Sequence, residues 1–128
     1  MNIELLVSSM MRINVMARLW HWMTDIGQHH TTFETFLTQN ETLTDSLMES
    51  ALGNEMKINF SELGVKSAIE TSYSIETAKS EIKHYRTQVM ETKSALESSD
   101  KAGTQELVTI LDDVVELSSK TLYLLNLK

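Results

Sequence analysis

Apolar residues recur along this chain at helical steps. Leu6, Met10, Ile13, Ala17 and Trp20 follow one another at spacings of four and three, which is one face of a helix over about residues 2–24. Asp25-Ile26-Gly27 breaks that rhythm. Phe33, Phe36, Leu37, Leu43, Leu47, Met48 and Ala51 then form the apolar face of a second helix over 28–52, and Gly53-Asn54 is a helix stop, since either residue tolerates a left-handed conformation. A third helix is expected over 66–97, where Ala68, Ile75, Ala78, Ile82, Tyr85, Val89 and Leu96 keep a near-heptad rhythm. Residues 98–103 read as a loop, with Asp100 or Thr104 as the cap of a fourth helix over 104–127. The stripe of that helix is Leu107, Leu111, Val114 or Val115, Leu122 and Leu125.

Each segment is apolar on one face and polar on the other, so the four helices must bury their stripes against one another. The stretch 54–65 has no helical rhythm beyond a short turn expected at Ser61-Glu62-Leu63. Twelve residues reach roughly 40 Å when extended, and a 25-residue helix is roughly 37 Å long. The connector can therefore cross the whole bundle. The expected fold is all-α: a single-domain, ferritin-like four-helix bundle with a crossover connection between helices two and three.

Composition supports this and narrows the function. Proline is absent and glycine occurs four times, too few turn residues for a β-rich chain. The net charge is −7, and the eleven Lys and Arg are scattered, which disfavours a nucleic-acid partner. Cysteine is absent, excluding disulfides and thiolate ligands and agreeing with a reducing cytoplasm. The first residues lack a cationic flank and Glu4 interrupts their apolar run, a poor signal peptide. No apolar run approaches the roughly 18 residues of a membrane span.

There is no Gly-rich phosphate loop and no nucleophile motif. The ionisable side chains are most organised on the second helix. At roughly 100° per residue, His30, Glu34, Glu41, Asp45 and Glu49 fall on one stripe at the edge of the apolar face. Like charges at i,i+4 cost a few tenths of a kcal/mol per pair, a cost that a bound cation removes. Carboxylate oxygen with imidazole nitrogen suits iron, manganese or zinc. The plain alternative is a solvated acidic flank. On the first helix, His21 projects beside Met10 and Ala17, where a satisfied core histidine competes with a metal ligand, and Asn14 is a possible partner for its ring. Trp20 and Trp22 are expected in core or interface packing, and His29 and His84 at the surface.

His21-Trp22 on one helix, then His30 after a short turn, followed four, fifteen and nineteen positions later by Glu34, Asp45 and Glu49, resembles the Dps-like branch of the ferritin superfamily. The likeness is greatest to short Dps-like proteins of large tailed bacteriophages. Gly53 fits the glycine that ends their second helix, and 120–125 resembles their last one. The resemblance implies a ferroxidase centre shared by two subunits across a two-fold interface. Two Fe(II) ions would pass electrons to peroxide or oxygen, and the oxidised iron would be stored in a hollow homo-oligomeric shell. His21 and His30 would be nitrogen ligands, Glu34 and Asp45 terminal carboxylates, and Glu49 the bridge. Glu41 has no counterpart and would be at most an extra ligand. The Lys-rich tail of DNA-binding Dps proteins has no equivalent here. The expected setting is the cytoplasm, that of an infected bacterium for a phage protein. The competing function is a metal-free phage protein that binds and inhibits a host factor.

Overall fold

The computed structural model describes residues 2–65, 68–69, 71–99, 101 and 103–127. It contains four α-helices, α1 (Ile3–Met23), α2 (Gly27–Gly53), α3 (Ile75–Glu97) and α4 (Thr104–Leu125), with one short 3-10 turn at Phe60–Glu62. No strand occurs among the described residues, and the chain is a four-helix bundle. No helix of the described residues is long and apolar enough to cross a membrane.

The helix ends follow local chemistry. The Asn2 side chain accepts the Leu5 N–H at the start of α1, and the Ser74 hydroxyl accepts that of Thr77 at the start of α3. That cap corrects the expected start of the third helix. Ala68 and Ile69 precede the helix, so the connection to α3 is longer than the twelve residues read from the pattern. Apolar spacing alone could not see this, because Ile69 and Tyr73 pack on the core from irregular chain. α4 starts at Thr104 as expected, but its N-cap is Gly103, at φ +85°, and not Thr104. Asp100 lies outside the described residues.

α1 packs on α2 and α3, and α4 packs on the same two; α2 and α3 lie across the bundle from each other and meet through side chains, Asn40 and Phe36 against Tyr85. Bonded pairs give the directions. Two levels fix each direction: His21 meets His30 and Asn14 meets Asn40, Arg86 meets Ser119 and Lys93 meets Asp112, Gln28 meets Leu124 and Ser50 meets Glu106. All three pairs are antiparallel, and so therefore are α1 and α3, joined at Arg12 and Glu81. The core holds Met10, Met16, Trp20, Phe33, Phe36, Leu47, Ile82, Leu96, Leu107 and Leu111, all essentially inaccessible. Of the two expected alternatives on α4, Val114 is buried and Val115 half-buried. The chain between α2 and α3 bonds to α1 at successive levels: Asn59 N–H to Glu4, the Ser8 hydroxyl to the Glu62 carbonyl, and the Arg12 guanidinium to the Ala68 carbonyl.

Candidate metal centre

Three residues, Thr24, Asp25 and Ile26, separate α1 from α2. The Thr24 N–H closes the last turn of α1 on Trp20, and the Thr24 hydroxyl accepts the Ile26 N–H. So tight a reversal sets the last turn of α1 beside the first turn of α2, and His21 and His30 meet there. Their rings stack with centroids 3.9 Å apart. His21 Nδ1 lies 3.0 Å from the His30 carbonyl, and His30 Nδ1 lies 2.7 Å from the His21 carbonyl. A carbonyl oxygen can only accept, so each Nδ1 carries the hydrogen. In a neutral ring, each Nε2 is then left with its lone pair. An imidazole held to a backbone carbonyl through one nitrogen while the other is free is the usual arrangement of a metal-ligating histidine.

Glu34, one turn beyond His30, completes a group. One donor atom from each of His21, His30 and Glu34 lies within 4.8 Å of the others. Ligands about 2.1 Å from a common ion sit within about 4 Å of one another, so a closure of under about 1 Å would seat a metal. His21 is half-exposed and the other two are exposed, leaving positions open to water or to a further ligand. Two imidazoles with one carboxylate suit Fe(II) as well as zinc or manganese.

Asp45 and Glu49 are not part of this group. Asp45 lies eleven residues beyond Glu34 on the same helix, roughly 16 Å along the axis. The two carboxyl groups share a hydrogen bond, and that bond together with the Asp45 charge raises the Glu49 pKa above its ordinary 4.5. Glu41 is held by Arg18 at 3.5 Å. The structure thus splits the predicted ligands into two halves along α2: His21, His30 and Glu34 at one level, and Asp45 with Glu49 at another.

Several expectations need correction. Asn14 does not serve His21; its Oδ1 accepts from Asn40 Nδ2 at 2.9 Å, and the His30 carbonyl takes the His21 ring nitrogen. His29 is buried rather than exposed, because it turns inward beside Phe33, ring centroids 6.5 Å apart. The tryptophans divide: Trp20 is core, whereas Trp22 is 65% exposed, beside Arg18. His84 is exposed, as expected. The buried line Tyr85–Asn40–Asn14 escaped the sequence reading, since a lone Asn among polar residues carries no signal of its own.

Searches against models of known families, curated proteins and solved structures return no match.

Proposed function

We propose that this chain is a Dps-like iron protein that binds Fe(II) as substrate and oxidises it with peroxide or oxygen, for storage or oxidative protection in the cytoplasm of a phage-infected bacterium. The observation that carries this reading is the His21–His30–Glu34 cluster, in which both imidazoles are oriented in advance by bonds to backbone carbonyls. The histidines hold the metal through neutral nitrogen, and the carboxylates offset its charge. Two Fe(II) ions together supply the two electrons that, with two protons, reduce one hydrogen peroxide to two waters. The division of the predicted ligands supports a centre shared between two copies, one presenting His21, His30 and Glu34 and the other Asp45 and Glu49. A ferritin-like crossover is supported by the successive bonds from the connecting chain to Glu4, Ser8 and Arg12, and by α2 and α3 lying diagonally across the bundle.

The test is anaerobic titration with Fe(II), followed by peroxide and the near-ultraviolet absorbance of oxidised iron. Wild-type protein is expected to bind iron stoichiometrically and oxidise it at once. His30→Ala and Asp45→Ala/Glu49→Ala should each lose most of the fast phase. Equal traces from wild type and variants, with no stoichiometric iron, overturn the proposal.

A further inference from the structure

Charge is divided unevenly between the sides of the bundle. α2 carries Glu34, Glu41, Asp45 and Glu49 with no Lys or Arg, and α4 carries Glu106, Asp112, Asp113 and Glu116 against Lys120 alone. These two helices pack side by side and hold between them the equivalent of the whole net charge of −7. α3 balances four carboxylates with four Lys and Arg, and α1 sets two Arg against Glu4. Some of the acids on α2 and α4 are engaged: Glu41 by Arg18, Asp112 by Lys93, and Glu106 by Ser50 and Asn54. Asp113 and Glu116 are exposed and have no ion pair among the described residues.

Between the same two helices runs an open valley. One hollow of about 510 Å³ and another of about 390 Å³ meet at Gln39, Leu117 and Lys120. The floor is Leu43, Leu117, Thr121 and Leu124, all buried or half-buried. The α2 wall is Thr31, Thr35, Thr38 and Thr42, one stripe at steps of four, three and four. Threonine is short, and the Thr31 and Thr42 hydroxyls turn back to donate to the Gly27 and Thr38 carbonyls. The wall therefore leaves the valley unfilled. Asp113 and Glu116 line its α4 side. From Gln28 to Thr42 the valley runs roughly 21 Å, the length of about four turns of helix.

We infer that the α2–α4 valley seats a basic amphipathic helix of a partner protein. An exposed groove between two antiparallel helices is the shape into which a third helix packs, apolar ridge into apolar floor. The partner's leucine-type side chains cover Leu43 and Leu117, and its flanking Lys and Arg meet Asp113 and Glu116. Complementary charge steers the encounter and selects against wrong partners. A second copy would set this acidic side against itself, and a nucleic acid would bring phosphate to carboxylate, so charge points to a basic protein segment. Thr38, Asp113 and Glu116 lie outside the metal centre, and the inference does not rest on it.

The probe is a fluorescein-labelled helical peptide of about fourteen residues, leucine at i, i+3, i+4 and i+7 and lysine elsewhere, followed by anisotropy in metal-free buffer. Wild type is expected to bind it, more weakly as salt rises. Asp113→Lys/Glu116→Lys reverses the charge of the α4 side, and Thr38→Trp fills the valley without changing charge. Each should raise the dissociation constant about tenfold or more. Glu76→Lys/Glu91→Lys, the same charge change on exposed positions of α3, should move it by less than about twofold. If the α4 variant loses its helicity, Thr38→Trp decides. Equal affinity in wild type and Thr38→Trp overturns the inference, as do equal losses from the α4 and α3 variants. So does a scrambled peptide of the same composition that binds as tightly, or a wild-type dimer that Thr38→Trp dissociates. Iron oxidation by Thr38→Trp should match wild type, so this inference and the metal reading fail separately.

Discussion

Glu55 has φ +61°, in the left-handed region that favours glycine. It occupies the position just past α2, where the Met56 N–H bonds the Ala51 carbonyl and the Glu55 N–H bonds the Leu52 carbonyl, the double bond of a Schellman ending. α2 ends at Gly53 with Asn54 as its C-cap, as the sequence indicates, but the left-handed residue is Glu55 and not one of that pair. The Asn54 side chain is engaged with the Ser50 carbonyl and with Glu106, and the left-handed turn falls on the next residue. A non-glycine residue in this conformation costs about 1 kcal/mol. Glu55→Gly is therefore expected to raise stability by about 1 kcal/mol, read as a higher urea midpoint with an unchanged slope. Gly103 shows the converse case. Its positive φ and the Asn54 side chain packed where a Cβ would stand leave no room for another residue.

At the scale of elements, two carboxylate groups on or against α2 respond to pH with opposite sign. Glu106 of α4 accepts from the Asn54 amide and the Ser50 hydroxyl, both at 2.9 Å, and these bonds hold its pKa below the ordinary 4.5. Its contribution is present above 4.5 and is lost as pH falls through the depressed folded value. Glu49 sits above its ordinary value because of the Asp45 bond and charge. The fold therefore gains from its proton below 4.5, and that gain disappears as pH rises through the raised folded value. Glu106→Gln should flatten the acid side of the stability profile. Asp45→Asn should make the metal-free protein more stable at neutral pH. Thermal unfolding from pH 3 to 7 measures both; parallel profiles for wild type and variants would contradict the signs. The acidic stripe is thus a local cost to α2.

For the whole molecule, Asn40 ties α1, α2 and α3 at one buried point, and burial pushes the Tyr85 hydroxyl well above its ordinary pKa, keeping it a donor. Asn40→Ala leaves Asn14 and Tyr85 without their buried partner and opens a small void. A loss of about 2–4 kcal/mol is expected in denaturant unfolding.

Helical spacing was enough to determine four amphipathic segments, and with them the all-α bundle, because a 3.6-residue repeat of apolar side chains has one way to be buried. It was enough also to place His30, Glu34, Asp45 and Glu49 on one stripe, since a helix carries its own geometry. The start of α3 at Ser74 and the left-handed cap at Gly103 were beyond it, because caps and left-handed residues depend on where neighbouring segments lie. So was the joining of His21 to His30, which requires the α1–α2 turn to close on itself. The separation of Asp45 and Glu49 from that pair is a consequence of helical rise along α2. Residues that share a stripe need not share a level, and one straight helix cannot bring its two ends together.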